Sequence, residues 1–138
     1  MSIPTAIIYD DIYKKHHTGA FHPEKPERSA VIIDAIKENI PSKSLVAIKP
    51  KKASIENVML CHDAEYIAMV SDDVVSGFGQ LSTGDTNVCA ESMDVALYAV
   101  GAGIAAVDAS AWVAVDPVDR PHHARGAYAS NSGRRGWI

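Results

Sequence analysis

The stretch from Gly84 to Asp108 limits what this chain can fold into more than any other. In its second half Met93, Ala96, Leu97, Val100, Ile104 and Val107 recur at three- and four-residue spacing. That spacing lays an apolar stripe along one face of a helix. Gly101, Ala102, Gly103, Ala105 and Ala106 crowd the same segment. Glycine inside a helix costs about 1 kcal/mol relative to alanine. A sequence that accepts this cost needs another backbone close by. The stretch therefore predicts a central helix near 90–108, wedged against a sheet and the most buried of the molecule. The first half is polar and turn-like. Gly84-Asp85-Thr86 can hold a carboxylate on a loop ahead of a rigid element, a position suited to ligand contact. By themselves, however, Asp85 and Thr86 fit plain turn formation better.

One helix of this kind needs a sheet, and the chain has 138 residues in which to build it, enough for a single domain with a core. Residues 4–9 are apolar and end at Asp10 and Asp11, as buried strands of a parallel α/β sheet do. Residues 45–48 and 111–115 read as further strands. Three parallel strands alternating with helices predict a three-layer α/β fold. Pro26 opens a helix that Pro41 stops, with Val31, Ile32, Ala35 and Ile36 on its stripe. Arg28 lies in its first turn, where the helix dipole disfavours a cation, so a carboxylate or backbone partner inside the fold is expected for it. Ser54 and Asp63 read as caps of two further helices.

Charge and cysteine content narrow the function classes. The net charge of −4 gives no general attraction to nucleic acid or anionic membrane. No apolar run is read as long enough to span a bilayer, and the N-terminus has no basic region followed by a long apolar core. Cys61 and Cys89 match no metal spacing, so reduced thiols and a cytoplasmic location are expected. His16, His17 and His22 lie within seven residues, but their spacing fits no helical ligand pair, and a solvated loop is the expectation there.

Four segments carry a resemblance. His22-Pro23-Glu24-Lys25-Pro26-Glu27-Arg28 is similar to the His-Pro-Glu-x-Pro-x-Arg segment of the zinc-dependent histone deacetylase, acetoin-utilisation and acetylpolyamine amidohydrolase family. His62-Asp63-Ala64-Glu65-Tyr66-Ile67 resembles its His-Ser-x-x-Tyr-Ile/Leu stretch. Asp85-Thr86, Ser92 and the Ala/Gly-rich run resemble its Asp-Thr-x5-Ser segment before a long helix. Arg120-Pro121-His122-His123-Ala124 resembles its Arg-Pro-Pro-Gly-His-His-Ala motif. The resemblance spans roughly residues 5–125.

It implies an arginase/deacetylase-type fold over residues 1–125, followed by an unrelated tail at 126–138. It also implies roles. His122 and His123 would be the catalytic tandem histidines that handle protons around a zinc-bound water. Asp85 would hold the substrate backbone at the rim, and Arg28 would line the internal cavity. The chemistry implied is metal-assisted amide hydrolysis. The departures count equally. The Pro-Gly between Arg-Pro and His-His is missing, and no Asp-x-His occurs in the sequence. A zinc hydrolase needs three protein ligands and an open position. The expectation is therefore a truncated deacetylase-like chain, inactive alone, with no metal or cofactor of its own although the full-length family uses zinc. It would bind a ligand or a protein partner. A split or atypical zinc-dependent deacetylase acting on acetylated lysine or polyamine-type amides is the alternative. An unpaired edge on the 111–115 strand predicts self-association, as a homodimer or higher even oligomer through 90–115 or the tail.

Overall fold

In the computed structural model, the backbone is described for residues 4–114 and the side chains for residues 4–110. The chain divides into two units, 1–106 and 107–138. The described elements lie in the first unit, except that residues 107–114 continue the last helix into the second.

Two strands form where the apolar runs predict them. β1 (Thr5–Ile8) and β2 (Leu45–Ile48) pair in parallel, with Thr5 opposite Leu45 and Ile8 opposite Ile48. A parallel pair requires a crossover, and it contains α1 (Glu27–Asn39). Pro26 precedes α1 with φ −54°, already helical, and the Ile40 amide closes the other end on the Ile36 carbonyl. Between β1 and α1 the sequence suggests only loop, but residues Asp11–Lys15 wind into a short 3-10 helix. The Asp10 carboxylate starts it by accepting the Ile12 amide at 3.0 Å.

α2 (Ile55–Met59) begins at the expected cap. Ser54 and Asn57 exchange side-chain and backbone hydrogen bonds in a capping box. Asp63 stands at the N-cap of α3 (Ala64–Ser76) in extended conformation, but its carboxylate makes no capping bond. α3 ends on Gly77, whose φ of 73° places it in the left-handed region that glycine tolerates best. A short antiparallel turn follows, with Gln80 opposite Asn87.

The third strand is a correction. Ala111 to Ala114 continue α4 (Ser92–Ala114) as helix, and Val115 lies outside the described residues. A run of five apolar residues cannot be told from buried helix by periodicity. No Gly or Pro falls between Ile104 and Ala114 to end the helix. The self-association argument built on a strand edge at 111–115 therefore loses its basis. A second expectation also changes, because Ser92–Ser110, with mean hydropathy 1.3, is long and apolar enough by length and composition to cross a bilayer.

The core takes up only part of that apolar helix, 22% of the span being buried. Val74 from α3 packs with Leu81 and Val88 from the turn, flanked by Val70 and Met93. Further along α4, Leu97 and Gly101 are buried, and residues 51–53 lie directly across the helix. The Ala53 amide donates to the Leu97 carbonyl at 3.1 Å. A Cβ on Gly101 would overlap the Lys51 carbonyl oxygen and stand 2.9 Å from its carbonyl carbon. The close backbone approach read from the glycines is real at Gly101. Gly103 meets nothing within 4 Å. The apolar stripe is covered only at its start, since Ile104 and Val107 are 40% and 69% exposed.

Candidate functional site

The site centres on the loop that joins β1 to α1. Five contacts latch residues 13–18 to the turn before α4 and to α4 itself. The Tyr13 hydroxyl donates to the Tyr98 carbonyl at 3.3 Å. His16 Nδ1 lies 2.8 Å from Ser92 Oγ. Cys89 Sγ accepts the His17 amide at 3.3 Å and donates to the Lys15 carbonyl at 3.2 Å. The Asn87 side-chain amide donates to the Thr18 carbonyl at 2.8 Å. Behind these, the buried Thr18 hydroxyl donates to the Glu24 carbonyl, and the Glu24 amide donates to His22 Nδ1 at 3.1 Å. The histidine-rich segment is thus an ordered wall.

That wall encloses an open cleft of about 320 Å³. Tyr13 and His16 line it from the loop, Glu24, Lys25 and Pro26 from the approach to α1, Arg28, Ser29 and Ile32 from α1, and Val95 from α4. Partial burial pushes the Tyr13 phenol above its usual range, and the nearby Asp10 carboxylate adds to the effect. Arg28 is among the residues that line the cleft. The internal partner expected for it is absent among the described residues: the guanidinium is exposed and water can solvate it.

Asp85 is placed elsewhere. It stands exposed on the turn, its carboxylate accepting the Thr86 hydroxyl at 3.1 Å, and it does not line the cleft. The turn that carries it is held by the Leu81 amide on the Thr86 carbonyl at 2.9 Å and the Val88 amide on the Gly79 carbonyl at 3.0 Å. Gly84, with φ of 105°, makes its reversal possible. His122 and His123 lie outside the described residues.

Among the described residues no three His, Cys, Asp or Glu side chains converge as metal ligands do. The donor set of residues 4–110 therefore does not fit the tetrahedral zinc centre implied by the resemblance. Sequence reasoning took His16 as part of a solvated loop and gave Ser92 no role beyond its place in a motif. One local signal was present. Ser92 follows Cys89 by three residues, the spacing at which a side chain can reach back to an N-cap amide, and Cys89 N–H does donate to Ser92 Oγ at 2.8 Å.

Comparison with known proteins agrees with the motifs. The histone deacetylase domain model matches residues 22–131. A probable deacetylase of Archaeoglobus fulgidus is 35% identical over 107 residues, covering 76% of this chain and 29% of that protein. An uncharacterized protein of Synechocystis sp. is 34% identical over 106 residues, covering 75% of this chain and 34% of its own length. The chain spans about a third of the length of these relatives. With the domain match running from the His22–Arg28 motif across the Asp85 turn and α4, the chain belongs to the histone deacetylase family.

Proposed function

We propose that residues 1–138 form a binding module of deacetylase type that does not hydrolyse amides by itself. The observation that carries this reading is the apolar surface left open around a small core. Val31 and Ile32 on α1 are 65% and 57% exposed, and Val75 and Phe78 at the end of α3 are 83% and 87% exposed. Among the described residues the sheet has two strands, so each keeps one outer edge without a strand partner. Exposed apolar area on this scale marks surfaces that another polypeptide covers, and an open parallel sheet is ordinarily buried on both faces. The partner is a protein segment that completes the α/β layers, supplied by another chain or by a second copy.

The cleft supports a second reading. Arg28 is one of its lining residues, which supports reading the region as one part of a split zinc-dependent deacetylase or amidohydrolase. In that reading Asp85 contacts substrate and His122 and His123 handle protons. One experiment separates the two. The full chain is incubated with zinc and an acetyl-lysine peptide, and product is followed over many turnovers. The module reading expects none. Sustained turnover that disappears in a His122→Ala, His123→Ala double variant would overturn it. Light scattering of the same sample at low micromolar concentration reports whether a second copy is the partner.

A further inference from the structure

We infer that Ser92 is a positioning residue that holds His16 as its Nε2–H tautomer, leaving one ring donor for a hydrogen-bond-accepting group that enters the cleft. The inference rests on the cleft being the ligand-facing side of the module, but its test does not depend on any activity. Ser92 is 8% exposed and its hydroxyl has one proton to give. Three neighbours compete around that oxygen. The Cys89 amide can only donate, and it occupies one lone pair at 2.8 Å. His16 Nδ1 lies at 2.8 Å, and Cys89 Sγ at 3.4 Å.

Two proton arrangements satisfy these contacts. In one, Ser92 donates to Nδ1, and the neutral ring carries its proton on Nε2. In the other, Nδ1–H donates to Ser92, and the hydroxyl turns to Cys89 Sγ. An imidazole nitrogen is a good acceptor and a thiol sulfur a weak one. The sulfur is also already engaged, since it accepts the His17 amide and donates to the Lys15 carbonyl. The first arrangement therefore wins. Its consequence reaches the cleft because His16 is one of the residues that line it, and with Nδ1 occupied, Nε2 is the ring's remaining polar atom. The hydrogen bond to the other ring nitrogen sets what a histidine offers its ligand.

Ring nitrogen NMR of the full chain, under conditions where the His16 signals are those of the neutral ring, tests this directly. The wild type should show His16 protonated at Nε2. Ser92→Ala should lower the ratio of Nε2–H to Nδ1–H by roughly fivefold, as loss of one net hydrogen bond would, and Ser92→Thr should restore it. If Ser92→Ala loses the native amide spectrum, Ser92→Cys keeps the shape with a poorer donor and should lower the ratio likewise. A wild-type ring protonated mainly at Nδ1, or a ratio unchanged in a folded Ser92→Ala or Ser92→Cys variant, would overturn the assignment.

Discussion

Adding one methyl group to α4 should have opposite effects two residues apart. At Gly101 the new Cβ would overlap the Lys51 carbonyl oxygen and lie 3.3 Å from the Ala53 amide nitrogen. Both neighbours are backbone, so no side chain can swing away. Residues 51–53 would have to lift off the helix. That strains a packed contact, at about 1–3 kcal/mol, and breaks the hydrogen bond from Ala53 to Leu97, worth about 1 kcal/mol net. Replacing glycine by alanine in a helix returns only about 1 kcal/mol. Gly101→Ala should therefore destabilise the protein by ~1–3 kcal/mol. Gly103 meets nothing within 4 Å, so Gly103→Ala should stabilise it by up to ~1 kcal/mol. Urea unfolding of the two variants beside the wild type, followed by far-UV circular dichroism, reads the difference in midpoint. If both variants are more stable than the wild type, residues 51–53 do not press on α4, and Gly101 is not a point of close backbone approach.

Three further outcomes are expected. Ser54→Ala removes the capping box at the start of α2 and should cost ~1 kcal/mol, whereas a change within experimental error would mean that α2 frays in the folded state. Asp73 Oδ2 accepts both the amide and the hydroxyl of Ser82, at 2.7 and 2.8 Å, so Asp73→Ala should raise amide hydrogen exchange across residues 77–88 while leaving β1 and β2 unchanged; equal exchange in the turn would refute the tether. Tyr13 has a folded-state pKa raised above 10.0, first by burial, so the folded state holds that proton more tightly than the unfolded chain. Its stabilisation is complete below about pH 10 and is lost as pH climbs through the raised value; tyrosinate absorbance should show one late-titrating phenol that is missing in Tyr13→Phe, and identical titration curves would contradict the burial.

Much of the architecture could be read locally. Thr5–Ile8 and Leu45–Ile48 are short apolar runs whose polar or proline flanks leave too little length for a helix. Pro26 and Ser54 mark helix starts because proline geometry and capping act within one turn of the chain, and Asp63 stands at the N-cap of α3 without a capping bond. The family was legible for a related reason: four motifs in order survive as residue patterns whatever the packing around them. The strand expected at 111–115 failed because five apolar residues satisfy strand and helix equally, and the choice fell to the uninterrupted helix already running into them. The cleft was invisible in the sequence. Tyr13 and His16 lie 76 or more residues from Ser92 and Tyr98, and only the folded chain brings them together. Gly101 and Gly103 make the same point within a single helix. The sequence by itself determined that α4 would admit a close backbone, since both glycines lack a Cβ. Which of the two meets it was decided by where residues 51–53 cross, a distance set by tertiary packing and recorded in neither glycine.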